Sequence, residues 1–318
     1  MSRVLVLGNA TLDVIQMVER LPRPGETLLS RGILRCPGGK GLNQAVAAAR
    51  TGASVSLAAP VGQDADAAFL AHELGRETGL KIDWRVTDAA SDMSSIWVAG
   101  DGENMIVSTA ASAWCLTPEH ARSICADLMP SDMLLMQGNM RADTTTAAAE
   151  TARARGACTV LNTAPIFWDM RPIIGLFDIV IANEGEAKAV AGGDLAAFWP
   201  TLRDGGVRTA VVTLGARGAR LFGTDEDSII TAPRSHAIDT AGAGDVMVGT
   251  MVGLLAQGWD QRTAATTAVA AASLSVTRPG TIPSFPTHDE INDLALASGA
   301  AVARGSAVEP IKALKRVQ

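Results

Sequence analysis

The chain has 318 residues, enough to bury a sizeable core without disulfides or a structural metal. Its 27 lysines and arginines against 33 aspartates and glutamates give a formal charge of -6, with the signs interspersed, which favours neither nucleic acid nor an anionic membrane as a partner. The four cysteines form no Cys-x-x-Cys pair, the amino terminus carries no signal-peptide pattern and no apolar run could span a bilayer, so we expect a cytoplasmic protein with reduced thiols.

Short apolar runs alternate with helical patterns along most of the chain. Such runs are typical of parallel strands buried on both faces, and the repeated strand-helix order predicts a doubly wound α/β sheet. The predicted helices are punctuated by Gly52 and Gly156 at their ends and by Thr117 and Pro118 at a start. The predicted strands are residues 4–7, 55–59, 133–136, 159–161, 179–181 and 210–214.

Two segments break this alternation, residues 26–36 and residues 93–108. The second predicts a β-hairpin, with its turn at residues 100–102. Antiparallel pieces inserted in a parallel fold are candidates for a lid or a dimer surface, and an ordinary extension of the sheet edge explains them equally well. After Asp293 the chain becomes rich in alanine and is interpreted as a tail with no assigned chemistry.

The most informative motif is the run of residues 239–245, in which small residues and a carboxylate precede an apolar helix. Gly242 and Gly244 allow backbone conformations closed to other residues and let a phosphate approach. The amides of the first helical turn bind anions, and Asp245 would be placed to take a proton from an attacking hydroxyl. A helix cap is the alternative role for Asp245, and the run alone does not decide between the two.

A second motif, residues 38–44, predicts a flexible glycine turn leading into an alanine-rich helix. Lys40 and Asn43 offer a charge and an amide, which suit a polyhydroxylated ligand. The spacing of a Walker A loop is missing. Taken alone, the segment favours a plain glycine turn with a solvated Lys40.

Together, the segments 38–43 and 239–245 resemble the two signatures of the ribokinase-like (PfkB) carbohydrate kinases, and the resemblance runs from about residue 4 to residue 286. It implies a mainly parallel sheet flanked by helices, with a small antiparallel β lid. The implied catalytic domain spans residues 1–298, with lid segments near 10–37 and 93–110, and residues 299–318 form the tail. It also implies a homodimer that pairs through the lid.

The resemblance assigns a role to each matching position. Asp245 falls on the catalytic base for transfer from ATP, and the anion hole falls on Gly242, Ala243 and Gly244. Sugar-contacting positions fall on Thr11, Asp13, Gly39, Lys40, Gly41, Asn43 and Asn139. Nucleotide positions fall on Asn183, Glu186, Thr213, Gly215, Gly218 and Gly244, of which Asn183 and Glu186 would also position Mg²⁺ through water. A potassium site falls on Asp239, Ala241, Ser275, Arg278, Gly280 and Ser284.

Two of the sugar positions depart from the ribokinase pattern. Thr11 stands where asparagine is usual, and Asn139 stands where a glutamate is usual. Because a buried site rejects analogues that leave its polar groups unpaired, we expect ribose to be a poor or secondary substrate. The alternatives are a nucleoside kinase of the same family and a non-catalytic sugar-binding protein, whereas a sugar-phosphate kinase would want more basic residues than Lys40. A dinucleotide-dependent oxidoreductase is disfavoured, since no Gly-x-Gly-x-x-Gly follows the first strand.

Overall fold

The computed structural model describes residues 2–100, 103–223 and 227–303. Its strands, in chain order, are β1 (Arg3–Leu7), β2 (Thr11–Met17), β3 (Gly32–Gly38), β4 (Ser54–Val61), β5 (Leu80–Val86), β6 (Met93–Val98), β7 (Asn104–Ser108), β8 (Met133–Gln137), β9 (Cys158–Asn162), β10 (Ile179–Asn183), β11 (Thr209–Thr213), β12 (Ala219–Phe222) and β13 (Asp227–Ile230). Its helices are α1 (Lys40–Arg50), α2 (Ala65–Leu74), α3 (Pro118–Cys125), α4 (Ala142–Ala154), α5 (Glu184–Val190), α6 (Phe198–Asp204), α7 (Ala243–Ala256), α8 (Gln261–Ser275) and α9 (His288–Ala303).

Nine strands form one large sheet, in the order β13-β12-β11-β10-β9-β8-β1-β4-β5. From β11 to β5 the neighbouring strands are parallel, and the pairings of β12 with β11 and β13 are antiparallel. Two buried apolar clusters cover the sheet. One includes residues of α1, α2, α7 and α8, and the other includes residues of α3 to α6. The prediction of a doubly wound, mainly parallel sheet is therefore confirmed.

All six predicted strands are present, as β1, β4, β8, β9, β10 and β11. The sequence did not predict β5, β12 or β13. Strand β5 lies at one edge of the sheet and alternates partly buried with exposed residues, so it lacks the continuous apolar run of the central strands. Strands β12 and β13 are four residues each and form a hairpin at the other edge.

A smaller sheet, which we call the lid, has the strand order β3-β2-β6-β7. Strand β2 is antiparallel to β3, and β6 is antiparallel to β7, as the hairpin prediction required, although turn residues 101 and 102 lie outside the described residues. The central pair, β2 and β6, is parallel, so the expectation of an antiparallel lid is wrong and the sheet is mixed. Strand β2 follows β1, and β6 follows β5, each after a short connection. Because β1 and β5 run in the same direction in the large sheet, β2 and β6 leave that sheet in the same direction.

Helices α1 and α7 pack closely enough to bring their first turns together. A Cβ atom added at Gly249 would lie 2.4 Å from the carbonyl oxygen of Gln44, and one added at Gly253 would lie 2.5 Å from Oγ1 of Thr51. The absence of side chains at these two glycines thus sets the approach of the helices. Because α1 begins at Lys40 and α7 at Ala243, this contact places the two motifs side by side.

Helix α9 extends through Ala303, so it crosses the boundary predicted between residues 298 and 299, and residues 304–318 of the predicted tail lie outside the described part of the chain. Within the described residues, no helix has both the length and the apolar character required to cross a membrane.

Candidate active site

Asp245 is buried in the first turn of α7, with 5% of its surface exposed. Its Oδ2 atom accepts a hydrogen bond of 3.0 Å from Nδ2 of Asn43, and its Oδ1 atom accepts one of 2.9 Å from Nε2 of Gln44. The N-cap position belongs to Gly242, and no side chain caps the helix. Asp245 is therefore not a helix cap, and its carboxylate is oriented toward α1.

The glycines before Asp245 differ from each other. Gly242 has φ of 77°, in the left-handed region, and a Cβ atom there would lie 2.8 Å from the ring of Phe285. Gly244 belongs to the helix, so the prediction of an unusual backbone conformation is wrong at this position. A Cβ atom at Gly244 would meet nothing within 4 Å, which leaves open space beside the first-turn amides. An anion can approach those amides there.

The glycine segment is tightly packed and is not the flexible turn that the sequence predicted. Gly38 ends β3, and a Cβ atom there would lie 2.0 Å from Oδ2 of Asp13. Gly39 has φ of 97° at the start of α1. Gly41 packs against Asn9, with 2.6 Å from an added Cβ atom to the backbone nitrogen of Asn9. These close approaches bring the backbone of the segment against β2 and the residues that follow β1.

The lid strand β2 contributes two of the predicted sugar positions. The Thr11 hydroxyl donates to Oδ1 of Asp13 at 2.8 Å, and both residues are buried. Burial raises the pKa of the Asp13 carboxyl, hydrogen bonds from Thr11 and Ser94 oppose that rise, and the charge of Asp245 adds to it. Asn43, another predicted sugar position, donates to Asp245, so the predicted sugar positions and the predicted base lie near each other. Lys40 joins them, with its Nζ atom 4.0 Å from Oδ1 of Asp245.

Asn139 follows the central strand β8 and is bound to Asn9, a residue to which the sequence had given no role. The Nδ2 group of Asn139 donates to Oδ1 of Asn9, which also accepts from the backbone N–H of Gly41 at 3.1 Å. Since that backbone group can only donate, it fixes the orientation of the Asn9 amide. The Oδ1 atom of Asn139 is buried and has no hydrogen-bond partner. Asn139 therefore has an unused acceptor at a predicted sugar position.

Asn183 and Glu186 form a capping box at the start of α5, away from the direct contacts of Asp245. The Asn183 side chain accepts from the backbone N–H of Glu186 at 2.8 Å, and its Nδ2 group donates to Oε1 of Glu186 at 2.7 Å. The other carboxylate oxygen of Glu186 accepts from the Asn183 backbone and from the Thr163 hydroxyl. Glu186 is thus held in one orientation at the carboxyl end of β10.

The predicted nucleotide turn follows β11. Thr213 ends that strand, Gly215 begins a 3₁₀ turn with φ of 60°, and Gly218 ends the turn with φ of 99°. A Cβ atom at Gly218 would lie 1.9 Å from the carbonyl oxygen of Ile230, so the turn is fixed against β13. Because β10 and β11 are parallel neighbours, Asn183 is in register with Thr213, and the two nucleotide motifs adjoin.

The predicted potassium positions lie on the loop before α7 and at the end of α8 with the segment that follows it, and Asp239 joins the two regions. Its Oδ1 atom accepts from the backbone N–H of Ala241 and its Oδ2 atom from that of Gly280, both at 2.9 Å. The side chains at the other predicted positions are bound within the protein, at Ser275, Ser284 and Arg278. Carbonyl oxygens thus remain the main oxygen ligands that these loops could offer a cation. In the described residues, no group of three histidine, cysteine, aspartate or glutamate side chains is arranged to bind a metal.

Sequence reasoning missed four amide residues that surround the site, namely Asn9, Gln44, Gln137 and Asn162. Gln44 and Gln137 have no exposed surface. The sequence carried a signal for these two residues. Gln44 interrupts the apolar face of the alanine-rich helix α1, and Gln137 ends the apolar strand β8. In open α/β sheets, polar residues at the carboxyl ends of strands surround the ligand crevice.

Comparisons with known proteins agree with this geometry. A family model described as pfkB family carbohydrate kinase matches residues 1–288. The chain is 33% identical to a ribokinase of Haemophilus influenzae over 293 residues, which are 90% of this chain and 95% of the relative. It is 29% identical to a deoxyribokinase of Salmonella typhi, over 91% of this chain and 97% of the relative. The crystal structure of a ribokinase from Thermotoga maritima superposes with a TM-score of 0.85 at 24% identity, covering 92% of this chain and 99% of that one.

Proposed function

The chain belongs to the PfkB family of carbohydrate kinases and is a phosphotransferase, and we propose that it transfers the γ-phosphate of ATP to a hydroxyl of a small sugar, a pentose or a related sugar. One observation carries the proposal. The buried carboxylate of Asp245 lies at the amino terminus of α7, bound by residues of the glycine segment that begins α1. The residues proposed as the base, the anion hole and part of the sugar site thus adjoin.

In the proposed reaction, Asp245 takes the proton of the attacking hydroxyl as the oxygen forms its bond to the γ-phosphorus. The bond between that phosphorus and the bridging oxygen of ADP breaks, and ADP leaves with the bridging electrons. The backbone amides of Gly242, Ala243 and Gly244 stabilise the negative charge on the transferring group. The open space beside Gly244 supports this role, since a side chain there would stand in the path of the phosphate.

The nucleotide would bind along the carboxyl ends of β10 and β11. The turn from Thr213 to Gly218 offers backbone groups, and Asn183 and Glu186 lie beside it. Three protein donors already bind the Glu186 carboxylate, which suits contact with Mg²⁺ through water because this ion keeps several of its waters in proteins. When bound, Mg²⁺ would neutralise charge on the phosphates of ATP.

Potassium would activate the enzyme by filling the space between the loops that Asp239 joins. A hard monovalent cation suits carbonyl oxygens. The loop from Asp239 leads directly into Gly242, so an ion that fixes the loop also fixes the amides of the proposed anion hole.

Asn139 and Thr11 would set the choice of sugar. The hydroxyl of Thr11 is already used by Asp13, and Asn139 has a free acceptor where a ribokinase usually has a carboxylate. We therefore expect a sugar other than ribose to be preferred, although relatives include both a ribokinase and a deoxyribokinase. A nucleoside is the second candidate, because Trp114 is half exposed and donates from its ring nitrogen to the backbone oxygen of Asn139. Its ring could stack on a base.

The lid would close over the sugar and pair with a second copy. Its edge strand β7 is exposed along its whole length, and apolar side chains on β3 and β7 are exposed too. These side chains are Ile33, Leu34, Met105, Ile106 and Val107. Pairing two lids would bury them and satisfy the backbone groups of the edges, so we expect a homodimer.

A coupled assay of ADP release tests the proposed function. Pentoses, deoxypentoses, ketoses, polyols, sugar acids and nucleosides are each supplied with ATP, Mg²⁺ and K⁺, and the Asp245→Asn variant serves as the control. We expect sugar-dependent release with one class and only background release from the variant. Preference for a nucleoside would favour the second candidate. A folded protein that binds a sugar but releases no ADP with any class would refute the kinase proposal in favour of a binding protein.

A further inference from the structure

We propose that Gln44 is a positioning residue for the base, which holds Asp245 in its reactive orientation and is itself held by Gln137 and Asn162. This inference rests on the proposed function, because it takes Asp245 as the base. The four side chains are between 0% and 7% exposed, and they come from α1, α7 and the ends of β8 and β9. They form one connected set of hydrogen bonds, which we call the amide relay.

The hydrogen bonds of Gln44 leave its amide no alternative orientation. Its Nε2 group has two hydrogens, and both are used, one toward Oδ1 of Asp245 at 2.9 Å and one toward Oδ1 of Asn162 at 3.0 Å. Its Oε1 atom accepts from Nε2 of Gln137 at 2.9 Å. An ionised carboxylate only accepts hydrogen bonds, so a rotated Gln44 would place its oxygen against that of Asp245 and lose every bond. The carboxylate of Asp245 and the carbonyl oxygen of Ile181, which accepts from Asn162, together set the orientation of the set.

The other donor to Asp245 is not constrained in this way. Asn43 donates to Oδ2 of Asp245 at 3.0 Å, but its own Oδ1 atom is buried without a partner. Its donor is held by Asp245 while its acceptor is left available to a sugar hydroxyl, whereas Gln44 has no unused polar atom. The two neighbouring residues of α1 therefore divide the work, with Asn43 also open to the substrate and Gln44 fixing the base.

The amide relay also joins the base to the proposed metal and nucleotide motif. Asn162 donates to the carbonyl oxygen of Ile181 at 3.1 Å, and the next residue, Thr163, donates to Oε2 of Glu186 at 2.9 Å. At the end of β9, Asn162 thus contacts Gln44, which holds the proposed base, and its neighbour Thr163 contacts Glu186, which is proposed to position the phosphates. Their spacing fixes the distance between the group that takes the proton and the group that positions the phosphates. Displacements of about 1 Å at such a centre cost on the order of a hundredfold in rate.

Two variants of Gln44 and one control separate positioning from mere packing. Gln44→Met keeps an unbranched chain of similar length and removes all donors. Gln44→Glu keeps the shape and places a second carboxyl group against Asp245. Thr250→Val is the control, because Thr250 lies on the same helix as Asp245, has no exposed surface and has no partner for its Oγ1 atom.

Kinetics with the sugar that wild-type protein phosphorylates fastest give the first readout. For Gln44→Met we expect kcat to fall about tenfold or more with KM for the sugar changed less than about threefold, because the base is misplaced while the sugar contacts remain. For Gln44→Glu we expect the acid limb of the kcat profile to move up by about one pH unit or more, since two adjacent carboxyl groups share a proton. Thr250→Val should match the wild type in both. An unmoved acid limb, or equal changes in kcat and KM, would overturn the proposal.

Unfolding temperature measured against pH gives a second readout that needs no turnover. In Gln44→Glu the paired carboxyl groups ionise less readily in the folded than in the unfolded chain. Their contribution to stability is therefore complete below the unfolded pKa of about 4 and is lost as pH rises above it. We expect the difference in unfolding temperature between this variant and the wild type to increase from pH 4 to pH 8. A constant gap would refute contact between Gln44 and an ionised Asp245, whereas a widening gap in a protein that phosphorylates no sugar would refute only the kinase proposal.

Discussion

Replacing Asp245 by asparagine should abolish most turnover and leave the fold intact. The structure indicates how the new carboxamide would be accommodated. It has one oxygen where Asp245 offers two, and that oxygen must face Gln44, which cannot rotate. Its amino group then faces Asn43, whose unpartnered Oδ1 can turn to accept it. Both hydrogen bonds therefore survive, but as bonds between neutral groups.

The magnitudes separate the effect on stability from the effect on catalysis. A hydrogen bond to a charged group contributes about 1 kcal/mol more to stability than a neutral one. Making both hydrogen bonds neutral therefore lowers the free energy of unfolding by about 2 kcal/mol, and removal of a buried charge partly offsets this loss. Loss of a general base lowers turnover by about 10² to 10⁴, equivalent to about 3 to 6 kcal/mol at about 1.4 kcal/mol per decade.

Turnover is measured by coupled ADP release, stability by urea unfolding, and sugar binding by calorimetry. We expect a loss of at least about a hundredfold in kcat, with sugar affinity within about threefold of the wild type. Near-normal turnover in this variant would refute the assignment of Asp245 as the base. A loss of activity that accompanied unfolding would refute the accommodation by Asn43.

Four further predictions follow from the same site. Asn139→Glu combined with Thr11→Asn should shift substrate preference toward ribose, and adding Asn9→Ala should enlarge the shift, because the new carboxylate would otherwise face the fixed Oδ1 of Asn9. If ribose is already the best substrate of the wild type, the inference from Thr11 and Asn139 is wrong. Gly242→Ala should lower the free energy of unfolding by about 1 to 3 kcal/mol, more than Gly244→Ala does, since of these two glycines only Gly242 has a positive φ; equal unfolding curves for the two variants would show that the strain is absent. Potassium should raise kcat over sodium or a bulky organic cation at matched ionic strength, and equal rates in all three would remove the ion from the mechanism. Sugar should slow hydrogen exchange in both lid segments, and unchanged exchange would count against closure of the lid. Light scattering should give a dimer at micromolar concentration, and a fully active monomer would count against the dimer.

The large sheet was predictable where burial alone decides the sequence. Strands such as β1 and β8 are covered on both faces, so residues 4–7 and 133–136 are all apolar and each run is visible without its neighbours. Strand β5 is covered less and alternates with Lys81 and Asp83, and its pairing with β4 could be known only from the fold. The parallel pairing of β2 with β6 was also hidden, because it joins segments separated by the whole of β3, α1, β4, α2 and β5.

The site was predictable where a motif is local. Asp245 and the glycine segment each lie within a short run whose chemistry can be interpreted directly, and α1 and α7 place them together. The roles of Gln44 and Asn9 were not predictable, because each amide is defined by partners more than thirty positions away. The helical conformation of Gly244 was missed for a related reason, since a glycine in sequence does not reveal which of its permitted conformations the fold uses.

The close contact between α1 and α7 also has a consequence during protein synthesis. Gln44 and Asp245 are separated by 201 positions, so a ribosome adding about 5 to 20 residues per second exposes α1 for roughly 10 to 40 s before α7 emerges. Throughout that interval helix α1 lacks the helix that covers it, although Gln137 and Asn162, the other partners of Gln44, are synthesised before Asp245. A nascent polypeptide in this state exposes apolar surface of the kind that chaperones bind, and the contact between Gln44 and Asp245 forms only after α7 has been synthesised.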